Sequence, residues 1–190
     1  ADFSHFNIPD TAQRESARDK LGIDKDALVL TYLGSLGTWY LVKEMLAFFN
    51  TVHQHYNNAT FLVISRENIF DHIDDAAIDK NAIICRPANR SEVPYFLSAA
   101  DIGISFIKPS FSKKSSSPTK MGEMLAMGIP LFVNDKVGDV AEITEATQGG
   151  FVLRSFEEKE YKKAVEMIPI LLQRDRQEIR SQAEKILTLD

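Results

Sequence analysis

Short, nearly continuous apolar runs recur along the chain, separated by stretches in which apolar residues return at helical spacing. Leu28-Val29-Leu30-Thr31-Tyr32-Leu33 is the first run, and Gly34-Ser35-Leu36-Gly37 follows it at once. Such a run suits a strand buried on both faces, because a strand with one wet face would alternate. An amphipathic stretch over about residues 39–55 comes next, so strand, glycine turn and helix make the first half of a βαβ unit. The alternation then repeats. Residues 60–64 predict a second strand, with a helix over 71–77, and residues 82–85 a third, with a helix over 91–99 capped by Ser91. Residues 102–106 predict a fourth strand, residues 129–133 a fifth, and residues 151–153, after Gly149-Gly150, a short sixth. Residues 14–21 form a short helix stopped by Gly22, in an otherwise polar and weakly patterned start. Residues 157–187 read as two helices broken near Arg174-Asp175.

Strands alternating with helices predict an α/β domain: a Rossmann-like parallel sheet of about six strands with helices on both faces. Neither an internal repeat nor a linker interrupts it, so residues 1–190 are expected to be one domain. Ligands of such sheets bind at the carboxyl ends of the strands. Gly34-Ser35, Arg86-Pro87, the loop over 111–117 and the segment 134–139 all fall there, with Asp139 a candidate cap for a helix over 140–144.

The stretch 115–130 carries the densest chemistry. Ser117 suits an N-cap and Pro118 the first helical position, while Gly128 and Pro130 stop the helix. A helix start there points free N–H groups and partial positive charge at the serine loop, which favours an anion such as phosphate. Lys120 and Glu123, three apart, share roughly one face. A cation for phosphate and a carboxylate for sugar hydroxyls fit a nucleotide. A surface Lys–Glu pair on an ordinary helix, worth about 0.2–0.5 kcal/mol, fits the same spacing. The glycine turn at residues 34–37 lacks the third glycine of a dinucleotide fingerprint, and no acidic residue closes the second strand, which argues against NAD.

Composition narrows the classes. The chain has 190 residues, 44% of them apolar and 26% charged, ordinary globular values. A net charge of −5 argues against a nucleic-acid partner. The single cysteine, Cys85, lies in an apolar run and is expected to be a reduced core residue of a cytoplasmic protein. No apolar run approaches the roughly 20 residues of a membrane helix, and no secretory signal opens the chain. The start at Ala1 points to a piece of a longer or processed protein. His5, His53, His55 and His72 are scattered without a carboxylate or thiol cluster, so no metal site is expected.

Taken in order, Tyr32-Leu33-Gly34-Ser35-Leu36-Gly37, Ser98-Ala99-Ala100-Asp101-Ile102-Gly103, Ser117-Pro118-Thr119-Lys120-Met121-Gly122-Glu123, Gly128-Ile129-Pro130 and Val137-Gly138-Asp139-Val140 resemble one family. It is the retaining, nucleotide-sugar-dependent glycosyltransferases of the GT-B fold, and the resemblance is to their C-terminal, donor-binding domain. It implies that Glu123 holds the donor ribose. Thr119, Lys120 and the Ser116 and Ser117 amides would bind the diphosphate, Gly34 and Ser35 would line the turn beside it, and Arg86 and Pro87 would meet the base.

Two departures mark this chain. Where many members carry a second glutamate eight positions earlier, Ser115 stands here, and Ser35 and Tyr40 replace the usual cations around the first turn. Lys120, with Lys113 or Lys114, is the source of charge that remains. The resemblance further implies a UDP- or GDP-linked sugar donor with no other cofactor. A glycan or lipid-linked acceptor would be held by an N-terminal domain outside this chain, so the fragment alone is expected to be inactive. Peripheral membrane association of a full-length form is compatible with it. A nucleotide-sugar epimerase or isomerase and a non-catalytic α/β interaction module are the competing readings.

Overall fold

The computed structural model describes residues 1–109 and 119–187. Its core is a six-stranded, all-parallel sheet of β1 (Val29–Leu33), β2 (Thr60–Ile64), β3 (Ile83–Arg86), β4 (Ile102–Ser105), β5 (Leu131–Asn134) and β6 (Gly150–Leu153). The spatial order is β3-β2-β1-β4-β5-β6. The order reverses between β1 and β4, and a crevice opens at the carboxyl ends beside such a reversal.

Alternate strand residues serve opposite faces. Val29 and Leu33 of β1 pack with α3 (Val93–Leu97), α4 (Thr119–Ala126), α5 (Val140–Ala146) and α7 (Arg176–Leu187), joined by α1 (Thr11–Leu21). Leu30 and Tyr32 pack instead with α2 (Val42–His55) and α6 (Glu158–Leu172). Helices on both sides explain why β1 is buried along its whole length and reads as an unbroken apolar run.

Gly128 performs two tasks. At φ +66° it ends α4 in the left-handed conformation, with Gly128 N–H donating to Leu125 O at 2.9 Å and Ile129 N–H to Met124 O at 3.0 Å. A Cβ added there would also lie 2.5 Å from Arg176 Cβ, so only glycine lets α7 start against the end of α4.

Several expectations are corrected. No α-helix covers residues 71–77; a 3-10 turn at Ile69–His72 is followed by irregular chain, because Asn68, Asp75 and Asp79 accept from amides two residues on and hold local turns instead. Helix α3 begins at Val93 rather than Ser91: the chain first turns at Asn89, which accepts from the Glu92 amide at 2.9 Å. The helix after the first strand starts at Val42, not Trp39, because Tyr40 bridges Ile107 and Leu41 N–H donates to Phe106 O. Asp139 precedes α5 without capping it; with ψ at 9° its backbone is not extended, its side chain makes no cap hydrogen bond, and its Oδ1 is buried without a hydrogen-bond partner. Cys85 is half-buried on the edge strand β3 rather than in the core.

The polar start is also more structured than its pattern suggests. Helix α1 begins at Thr11 behind a capping box, in which the Asp10 carboxylate accepts from the Gln13 amide and the Gln13 side chain from the Asp10 amide. Phe3 and Phe6 are buried, and the Arg180 guanidinium of α7 donates to the carbonyls of Phe3, Phe6 and Ala126. One side chain thereby ties residues 1–7 to the end of α4.

Candidate functional site

A cleft of about 280 Å³ lies at the carboxyl ends of the first three strands. Leu33, Gly34 and Ser35 line it after β1, residues 64–67 after β2, Ala88 and Val93 after β3, and Lys120 projects in from α4.

Gly34 is closely surrounded. Its φ is +152°, and an added Cβ would lie 2.8 Å from the Tyr32 hydroxyl and 2.9 Å from Lys120 Nζ. The glycine therefore leaves the space in which the ammonium sits. Lys120 Nζ also lies 5.6 Å from the centre of the Tyr40 ring, whose negative face favours a cation. Tyr40 thus stands where the resemblance had a cation missing, and it steers the cation that the chain does have. The Tyr32 hydroxyl donates to Ser35 O at 2.6 Å and pins the turn. Burial, with Tyr40 and Glu67 nearby, pushes the Tyr32 hydroxyl well above the usual tyrosine range, so it keeps its proton and remains a donor.

Glu123 lies one turn beyond Lys120 and is only 7% exposed. It does not point into bulk water. Its Oε1 accepts from Arg90 Nη1 at 3.2 Å. Arg90 in turn reaches Asp2 at 3.6 Å, lies 5.8 Å from the Phe6 ring centre, and its carbonyl bonds the His5 ring at 3.0 Å. Arg90 was not singled out in the sequence, and only its place after the third strand could have signalled it. The Arg90 contact fixes the orientation of the buried Glu123 carboxylate.

The remaining candidates divide. Gly34, Ser35 and Lys120 meet at the cleft, whereas Glu123 sits on the neighbouring Arg90 side of α4. Thr119 is exposed at the first described position of α4. Arg86 and Pro87 are exposed beside the cleft, where Ala88 rather than either forms the wall, and the Arg86 guanidinium lies over Phe96 at 5.4 Å. Ser116 and Ser117, with the expected cap at Ser117, lie outside the described residues, as do Ser115, Lys113 and Lys114. Among the described residues no helix is long and apolar enough to cross a membrane.

Solved structures share this fold. The lipopolysaccharide-biosynthesis glycosyltransferase WaaG superposes with a TM-score of 0.72 at 16% identity, covering 94% of this chain and 50% of WaaG. HepE of Anabaena, solved with UDP and glucose, gives 0.71 at 16% identity over 98% of this chain and 50% of its own. The C-terminal domain of the group 1 glycosyl transferase LpcC from Francisella tularensis gives 0.65 at 18% identity, covering 97% of this chain and 93% of that domain. This chain spans about half the length of WaaG and HepE. No curated protein sequence matches it. The family profile described as glycosyl transferases group 1 matches residues 13–186. With nearly every element inside that match and the sheet of one GT-B half, the chain belongs to the glycosyl transferases group 1 family.

Proposed function

We propose that this chain is the donor-binding half of a glycosyltransferase that moves a sugar from a nucleoside diphosphate, UDP or GDP, to a glycan or lipid-linked acceptor. The observation that carries the reading is the meeting of Lys120 Nζ with the Cβ-free face of Gly34 in the cleft beside the strand-order reversal. A diphosphate needs a cation, and Lys120 supplies one at the carboxyl end of β1. HepE, of the same fold, was solved with UDP and glucose.

The chemistry follows. Cleavage of the bond between sugar and diphosphate builds negative charge on the departing oxygen, and Lys120 stabilises it. A preorganised donor of this kind is worth about 3–4 kcal/mol. Glu123, held by Arg90, accepts from the ribose hydroxyls. The acceptor is bound by a further domain of the full-length protein, which works in the cytoplasm and at a membrane surface when its acceptor is a lipid.

Calorimetric titration of the full-length protein with UDP, GDP and their sugars tests this. Lys120→Ala is expected to weaken diphosphate binding by about tenfold or more, the usual loss for a charged hydrogen bond. Glu123→Ala weakens binding of the nucleoside diphosphate but not of pyrophosphate. Absence of binding to any nucleoside diphosphate, or affinity unchanged in both variants, overturns the reading.

A further inference from the structure

The opposite end of the sheet carries a second polar pocket, also of about 280 Å³, which the donor reading does not use. Asp101 and Pro130, which immediately precede β4 and β5, place it at the amino ends of the strands. Three guanidiniums line it: Arg14 from α1, Arg174 from the turn between α6 and α7, and Arg176 at the start of α7. Arg14 Nη1 and Arg176 Nη2 donate to the same carbonyl oxygen, Ala100 O, at 2.8 and 2.9 Å. Two like charges are thus gathered on one neutral atom.

The acids nearby are already engaged. Asp101 pairs with Arg14 through one oxygen, and with Arg18 at 2.9 Å and the Val29 amide at 2.8 Å through the other. Asp10 caps α1 through the Gln13 amide, and Asp175 accepts from the Gln177 amide. The Arg174 guanidinium donates to a neutral group, Gln148 Oε1, at 2.7 Å. The pocket lining sets three arginines against two aspartates, Asp10 and Asp101, in a chain whose net charge is −5. Burial, then the charge of Arg14, holds Arg176 below the usual arginine range against the opposing pull of Asp101. Planar guanidiniums at fixed positions suit the geometry of phosphate oxygens.

We propose that this pocket binds a phosphate group, with Arg176 and Arg174 as its principal ligands and Arg14 as the third. The group could arrive as a soluble phosphate ester or as a lipid headgroup. Leu172, 47% exposed at the end of α6, lines the pocket and gives the second source an apolar footing.

The test titrates inorganic phosphate and glycerol phosphate into the full-length protein and its Lys120→Ala variant, which disables the donor cleft. Phosphate binding is expected to survive Lys120→Ala and to fall about tenfold in Arg176→Gln, with a smaller loss in Arg174→Gln, whose exposed turn tolerates the change without unfolding. In parallel, phosphatidylcholine vesicles with and without phosphatidic acid are sedimented with each variant. Vesicle binding that needs phosphatidic acid and Arg176 upholds the pocket with a headgroup as occupant; phosphate binding alone upholds it with a soluble one. Binding of neither, or binding abolished by Lys120→Ala and indifferent to Arg174→Gln and Arg176→Gln, overturns it. Nucleotide-sugar affinity is a separate readout, so failure here leaves the donor reading standing.

Discussion

Lys120 and Gly34 constrain each other, and the constraint can be measured. Gly34→Ala places a methyl group 2.9 Å from Nζ at a backbone angle that side chains rarely adopt. A loss of about 1–3 kcal/mol of stability is expected from the backbone alone, read by thermal or urea unfolding. Pyrophosphate affinity should fall with it, because the ammonium must move. Tyr161 gives a different single-residue test. Its hydroxyl donates to Glu44 O at 3.2 Å, and burial, then Glu44, pushes its pKa from 10.0 up to about 12. The folded state holds this proton more tightly than the unfolded chain, so the contribution is complete below pH 10 and is lost as pH rises toward about 12. Wild type should be about 1 kcal/mol more stable than Tyr161→Phe near neutrality, and that advantage should shrink above pH 10 in paired unfolding curves.

Elements show where local pattern suffices and where it does not. All six strands were legible as short apolar runs, with β1, β4 and β5 buried along their whole length, and the turn at Gly34 and the stop at Gly128 were legible because glycine adopts those angles most readily. Residues 71–77 misled because Ile73 and Ile78 anchor an irregular connection to the α2 side of the core while aspartates hold its turns. Phe3, Phe6 and Arg90 were invisible for another reason: their partners lie far off in the sequence, and no spacing rule reaches across such a gap. The same holds for Arg18, 3% exposed, which bonds the carbonyls of Ala99, Lys25 and Ala27 and the carboxylate of Asp101. At the level of α4 and α7, Gly128→Ala should cost more than its backbone angle alone, because the added methyl meets Arg176. A drop of about 2 kcal/mol or more is expected, against the gain of up to about 1 kcal/mol that Gly→Ala gives at compatible sites.

For the whole molecule, the two ends of one parallel sheet hold different pockets. The carboxyl ends hold the cleft around Lys120, and the amino ends hold the arginine pocket around Arg176. Between them, Arg180 and Arg90 fasten residues 1–7 to α4, the helix that carries Lys120 and Glu123. Arg180→Ala should free this segment. Hydrogen exchange of the Phe3 to Asn7 amides is expected to rise while the amides of β1 and β4 stay protected, whereas a uniform rise across the sheet would show that the tie is merely part of global stability.

The sulfur chemistry of the chain offers a practical handle. Cys85 Sγ donates to Glu67 O at 3.4 Å, and Glu67 belongs to the wall of the Lys120 cleft. With a single cysteine in these 190 residues, an unmutated sample of this chain can carry one fluorophore at a defined address. Its emission, or the rate at which a maleimide reacts there, should change on filling the neighbouring crevice, so ligand screening can begin before any substrate is known.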